Sequence, residues 1–140
     1  MKTRTLLWVS ALCLTLVGCG RIYGPVEEVK AFMNEKDDLL LQINKKLEAN
    51  PTKVGVDEAR KVFEAKKGDL RAKRDEINAK PSGMNYDWKT TLDASEVSND
   101  KVFDAMISKF GSDCAIRQGV CTDELGKLMK LKDDFNAAVR

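Results

Sequence analysis

Two long stretches of this chain place apolar residues three or four positions apart, and each stretch ends at a proline. The first begins near Pro25 and ends at Pro51, and the second ends at Pro81. This apolar spacing is typical of amphipathic helices, and an X-Pro step usually ends a helix. We therefore predict helices over 25–49 and 57–80. Because a short loop joins them, they should fold back on each other as an antiparallel hairpin.

The second half of the chain predicts a shorter hairpin over 99–139. Ser98 or Asn99 is a suitable N-cap for a third helix, which should end at Gly111. Thr122 should cap a fourth helix, whose apolar residues again recur at three- and four-residue spacing. The predicted fold class is all-α, a long helical hairpin followed by a shorter one. Either one four-helix bundle or two separate lobes would satisfy this pattern.

The predicted linker between the hairpins, 81–98, does not continue the helical pattern. Met84, Tyr86 and Trp88 lie there on alternating positions, as in a short extended segment or an irregular loop. Tryptophan and tyrosine are enriched among residues that dominate protein interfaces, and loops often carry binding residues. These three residues are the candidate partner-binding site. The alternative is that they plug the open end of the helical bundle.

The N-terminal residues have the layout of an export signal. A cationic start and an apolar run over 6–17 precede Cys19. The run is shorter than the about 20 residues that cross a bilayer, so it predicts a cleaved signal peptide. The sequence Leu16-Val17-Gly18-Cys19 resembles a bacterial lipobox. This resemblance implies that the Cys19 sulfur receives a diacylglycerol and that Cys19 becomes the first mature residue.

The lipobox resemblance divides the chain into a signal peptide (1–18), a lipidated tether (19–24) and a helical domain (25–140). It implies a protein anchored by lipid in the bacterial cell envelope, since two or more acyl chains bind a membrane stably. In bacteria with two membranes, an aspartate after the lipidated cysteine tends to retain the protein in the inner membrane. Gly20 stands at that position, so the resemblance implies the outer membrane.

Cys114 and Cys121 are the two cysteines that remain once Cys13 is removed with the signal and Cys19 is modified. An even pair in an oxidising compartment predicts a structural disulfide. A redox site is the alternative, but the spacing is C-x6-C rather than C-x-x-C. The disulfide would join the third and fourth helices and contribute roughly 2–4 kcal/mol.

Composition counts against several function classes. The chain has no histidine, which is the commonest general base and metal ligand. The signal holds two of the 24 basic residues and none of the 22 acidic ones, so the mature chain is formally neutral and offers no electrostatic case for nucleic acid. Paired carboxylates at 37–38 and 133–134 lack calcium-loop spacing and should face solvent. We expect no metal, no cofactor and no enzymatic activity.

Lysines occupy three positions where the helical pattern expects an apolar residue: Lys36, Lys66 and Lys73. One interpretation is a polar groove for an acidic ligand. The favoured interpretations are structural. Lysine stems can cover apolar surface while their ammonium groups reach water, or a polar core position can set helix register.

The expected function is that of a membrane-tethered accessory or adaptor that works by protein–protein contact. In size and helical plan the chain is similar to secretion-system pilotins, which are small helical lipoproteins that escort a partner to the outer membrane. One alternative is a structural spacer that forms homo-oligomers through its apolar helix faces. Another is an inhibitor or exclusion factor.

Overall fold

The computed structural model describes residues 26–80 and 88–140, except for the side chains of residues 88 and 89. Within these ranges the chain forms four helices and no strand. They are α1 (Val26–Ala49), α2 (Lys53–Asn78), α3 (Trp88–Gln118) and α4 (Thr122–Val139). The all-α prediction is confirmed.

The first hairpin matches its prediction to within two residues except where α2 begins. Helix α2 begins at Lys53 rather than at 57, because Thr52 caps it by accepting a hydrogen bond from the Val54 amide. The first turn of α2 then passes against the end of α1. A Cβ built on Gly55 would lie 1.8 Å from the Asn50 carbonyl oxygen. Glycine at 55 therefore permits the close approach of the two helices.

The prediction for α3 is wrong at both ends. The helix covers Trp88–Gln118, so most of the expected linker 81–98 is helical. Ser98 and Asn99 lie inside the helix rather than at its N-cap, and Gly111 does not end it. The buried face of the early turns includes polar side chains, which an apolar periodicity does not count.

A disulfide joins the end of α3 to the start of α4, as predicted for Cys114 and Cys121. Thr122 is the first residue of α4 rather than its cap. Cys121 occupies the N-cap position and makes no capping hydrogen bond through its side chain, which is committed to the disulfide. Gly119 has a φ of 82° in the intervening turn, a conformation that favours glycine.

The two hairpins form one four-helix bundle with a continuous core. Helix α1 packs against α2 and α3, and α4 packs against the same two helices. The Phe135 ring of α4 lies 5.9 Å from the Phe63 ring of α2 and 5.2 Å from the Phe103 ring of α3, between centroids. Aromatic rings from both hairpins therefore meet in the core, and the separate-lobe alternative is excluded.

Ion pairs between helices show in which direction each helix runs. Lys80 near the end of α2 contacts Glu28 near the start of α1, so these helices are antiparallel. Glu48 near the end of α1 contacts Lys109 late in α3, so α1 and α3 are parallel. We call the end that holds the starts of α1 and α3 the proximal end. The distal end holds the turn at 50–52 and the disulfide, about 36 Å away at 1.5 Å per residue of α1.

Candidate protein-binding surfaces

Several titratable side chains in the described part of the chain form surface ion pairs between helices. Lys80 contacts Glu28 at 2.8 Å, and Lys109 contacts Glu48 at 2.5 Å. The hydrogen bond from each lysine lowers the pKa of its partner carboxyl, and the same bonds raise the pKa of both lysines. Residues 26–80 and 88–140 contain no group of three or more acidic or cysteine side chains placed to hold a metal ion.

The paired carboxylates lie on helix faces rather than in a common site. Asp38 and Asp133 are exposed. The Asp37 side chain is 63 % exposed and lies 3.0 Å from the Lys36 ammonium. Asp134 accepts a hydrogen bond from Arg60 at 2.6 Å, which links α4 to α2. Each of these carboxylates therefore meets water or a cation.

Lys36 is buried in the bundle, with only 2 % of its surface exposed. Its ammonium donates hydrogen bonds to Ser95 Oγ and to Asn99 Oδ1 (2.8 Å) on α3, and it forms an ion pair with Asp37 at 3.0 Å. The interpretation that Lys36 reaches water is wrong. Lys36 forms a buried polar link between the hairpins, which is the arrangement that can set register.

The other two flagged lysines are exposed on α2. Lys73 pairs with Glu35 across the surface between α1 and α2, whereas Lys36 contacts α3. Lys66 is exposed and shares neither set of contacts. The three lysines therefore do not converge on one groove for an acidic ligand.

An apolar groove runs between α1 and α3, and we call it the α1–α3 groove. Its floor is Leu40 and Met106, each 6 % exposed, and its rims are Leu41 (51 % exposed) and Val102 (40 %). The groove has a volume of about 530 Å³ and extends along α1 from residue 37 to residue 48. That length is about 16 Å, or three helical turns.

The sequence contains one indication of this groove that the three- and four-residue apolar spacing does not use. Leu39, Leu40 and Leu41 are consecutive, and three consecutive positions of a helix span too wide an arc for one buried face. The structure buries Leu39 and Leu40 and leaves Leu41 half-exposed on the groove rim. A third consecutive leucine therefore marked a second apolar surface.

The disulfide loop, residues 114–121, forms a second exposed apolar surface at the distal end. All six residues between its cysteines are exposed. Ile116 is 85 % exposed and Val120 is 78 % exposed. Because the disulfide joins both ends of the loop, these two side chains are presented on a constrained segment. Such pre-organisation reduces the entropy lost on binding.

The predicted binding residues lie at the proximal end or outside the described part of the chain. Met84 and Tyr86 fall within 81–87, outside the described residues. Trp88 is the first residue of α3, so its backbone is helical rather than extended, and its side chain is outside the description. Cys19 and the rest of the lipobox-like sequence also lie outside the described residues.

Comparison with known proteins found no match to a family model, a curated protein or a solved structure. None of the four described helices is long and apolar enough to cross a membrane.

Proposed function

We propose that this protein is a non-enzymatic, lipid-anchored accessory protein of the bacterial envelope that binds a protein partner through the distal end of its bundle. The observation that carries this proposal is the disulfide loop, whose Ile116 and Val120 are among the most exposed large apolar side chains described. The lipobox-like sequence ending at Cys19 supports the anchor, and Gly20 after it favours the outer membrane.

The geometry of the bundle supports a division between anchor and binding end. Helix α1 begins at Val26, seven positions after Cys19, so a lipid on that cysteine would lie near the proximal end. The disulfide loop lies at the opposite end, about 36 Å away by the rise of α1. An anchored bundle standing on its proximal end would present Ile116 and Val120 away from the membrane.

The loop also has the chemistry of a small interface. Two exposed aliphatic side chains flank Arg117, and arginine is enriched at interfaces. Burying both aliphatic side chains would contribute apolar area, while the disulfide limits the entropy lost by ordering the loop. We expect the partner to offer a shallow apolar pocket with an acidic group at its edge.

The test is chemical crosslinking in membranes, followed by capture of the full-length protein. The variant Ile116→Ser/Val120→Ser should lose the captured partner while far-UV circular dichroism remains unchanged. Val97→Ser is the matched control, because Val97 lies on the same helix, is 58 % exposed and is remote from the loop. Equal capture by both variants would overturn the proposed binding end.

The anchor is tested separately with Cys19→Ala. This variant should fold with the same helical content, fail to incorporate a labelled fatty acid and fractionate away from membranes. Activity of the unlipidated protein in complementation would contradict the role of the anchor.

A further inference from the structure

The α1–α3 groove lies between two parallel helices whose facing residues share the same heights along the bundle. Residues side by side on the two helices differ in number by 61, as Glu48 and Lys109 do in their ion pair. By the same offset, Leu41 is level with Val102, and these two form opposite rims of the groove. The two apolar rims of the groove therefore lie at the same height on either side of its long axis.

We propose that a second copy of this chain covers the α1–α3 groove in a parallel dimer with two-fold symmetry. A two-fold axis along the groove places α1 of one copy opposite α3 of the other without changing heights. Leu41 then contacts the partner's Val102, and Val102 contacts the partner's Leu41. Both half-exposed rims become buried in one contact.

Charge complementarity favours this occupant. Asp38 and Lys101 are exposed on the outer flanks of α1 and α3, and neither side chain makes an ion pair or hydrogen bond within the described residues. The dimer brings Asp38 opposite the partner's Lys101 at heights that differ by two residues, or about 3 Å. A lysine side chain spans that distance. The two-fold symmetry produces this Asp38–Lys101 contact twice in the dimer.

The most similar alternative packs the two copies antiparallel. That arrangement places α1 against α1, where Asp38 would approach the partner's Lys45, and it places Lys101 level with the partner's Asp104, which already pairs with Lys132 in its own copy. It also sends the two N-termini to opposite ends of the dimer. The parallel dimer keeps both N-termini at one end, so two lipid anchors could enter one membrane. This agreement with a single membrane rests on the proposed function, whereas the contact itself does not.

Disulfide crosslinking in the full-length protein tests the arrangement. Two differently tagged copies are expressed together, one carrying Leu41→Cys and the other Val102→Cys. Mild oxidation should give a covalent dimer that contains both tags. Formation of only the Leu41→Cys homodimer would overturn the parallel arrangement, and a crosslink to a different protein at these positions would overturn the second copy as occupant.

Sedimentation of the detergent-solubilised full-length protein measures the strength of association. Leu41→Glu should weaken dimerisation by about tenfold or more, which corresponds to about 1.4 kcal/mol. Met129→Glu is the control, because Met129 is 60 % exposed but lies on α4, which contributes no residue to the groove. Lys101→Asp should also weaken the dimer, and Asp38→Lys in the same chain should restore it. A monomer at every concentration would refute the proposal.

These outcomes are separable from those that test the proposed function. Leu41→Glu should still bind the partner through Ile116 and Val120, and the loop variant should still dimerise. Loss of partner capture alone therefore concerns the disulfide loop, whereas loss of the covalent dimer alone concerns the groove.

Discussion

Replacing Lys36 with methionine should destabilise the protein, although lysine is a polar residue in an apolar core. Lys36 is 2 % exposed, and its ammonium donates hydrogen bonds to Ser95 and Asn99 and forms an ion pair with Asp37. Methionine fills a similar volume but removes the donor. Asp37 would turn to water, because its side chain is 63 % exposed. Ser95 and Asn99 cannot bond to water in this way, because they are only 7 % and 1 % exposed.

The size of the destabilisation follows from the two acceptors that Ser95 and Asn99 leave unpaired. A buried acceptor left without a partner costs about 1–3 kcal/mol. The Asn99 amide nitrogen already has no partner among the described residues, so losing Lys36 leaves both polar atoms of Asn99 unpaired. Methionine regains part of this cost through its apolar burial. We therefore expect Lys36→Met to lower the free energy of unfolding by about 1–3 kcal/mol.

A second variant separates the lost hydrogen bonds from the lost lysine. In Lys36→Met/Ser95→Ala/Asn99→Leu, every polar group of the link is replaced, so no buried acceptor remains. Replacing a whole buried polar group by apolar side chains is often neutral or stabilising, by about 1–4 kcal/mol. The triple variant should therefore be more stable than Lys36→Met and as stable as the parent.

Urea denaturation followed by far-UV circular dichroism measures both variants, with the disulfide kept oxidised. The slope of the unfolding free energy against urea should be unchanged, so that a shift in midpoint reports stability. A Lys36→Met variant as stable as the parent would refute the hydrogen-bonded link. A triple variant less stable than the single one would refute the account based on stranded acceptors.

Three further predictions test other parts of the chain. Gly55→Ala should lose about 1–3 kcal/mol of stability in urea melts, since its Cβ would lie 1.8 Å from a backbone oxygen, whereas Gly68→Ala, with nothing within 4 Å, should gain about 0.5–1 kcal/mol. Equal effects would contradict the close approach at 55. The folded-state pKa of Glu28 is lowered by its hydrogen bond from Lys80, so its contribution is present above the unfolded value near 4.5 and is lost as pH falls through the folded pKa. Acid titration of stability should therefore show a smaller loss in Glu28→Gln, and an identical loss would refute the pairing in solution. Trp88→Ala should leave partner capture unchanged, because Trp88 begins α3 at the end opposite the proposed binding end. Lost capture with unchanged helicity would instead support the predicted linker site, and a large fall in melting temperature would favour the plug.

The sequence predicted the parts of the fold that depend on local pattern. The apolar spacing of α1 and its end before Pro51 are intrinsic to that stretch of chain, so its bounds were predicted to within one residue. The pairing of Cys114 with Cys121 followed from cysteine number and the expected compartment. Lys36 was flagged because an apolar pattern was interrupted there. The interruption alone did not distinguish a solvated lysine from a buried one.

Local pattern failed where burial depended on distant side chains. The early turns of α3 bury Ser95 and Asn99 because Lys36, 59 and 63 residues earlier, supplies their hydrogen-bond partner. Counting apolar residues alone therefore assigns these turns to a linker. The candidate surfaces were missed in part for the same reason, since the exposure of Leu41 depends on where α3 packs.

By itself, the sequence determined an all-α chain, its first hairpin, its disulfide and the lipobox-like start that underlies the proposed anchor. Only the tertiary structure decided that both hairpins share one core, that α1 and α3 are parallel, and that a groove lies between them. Helix formation is encoded by neighbours three and four positions apart, and those are visible in the sequence. The pairing of helices depends on shape and hydrogen bonding between residues far apart in the chain, which become neighbours only when it folds.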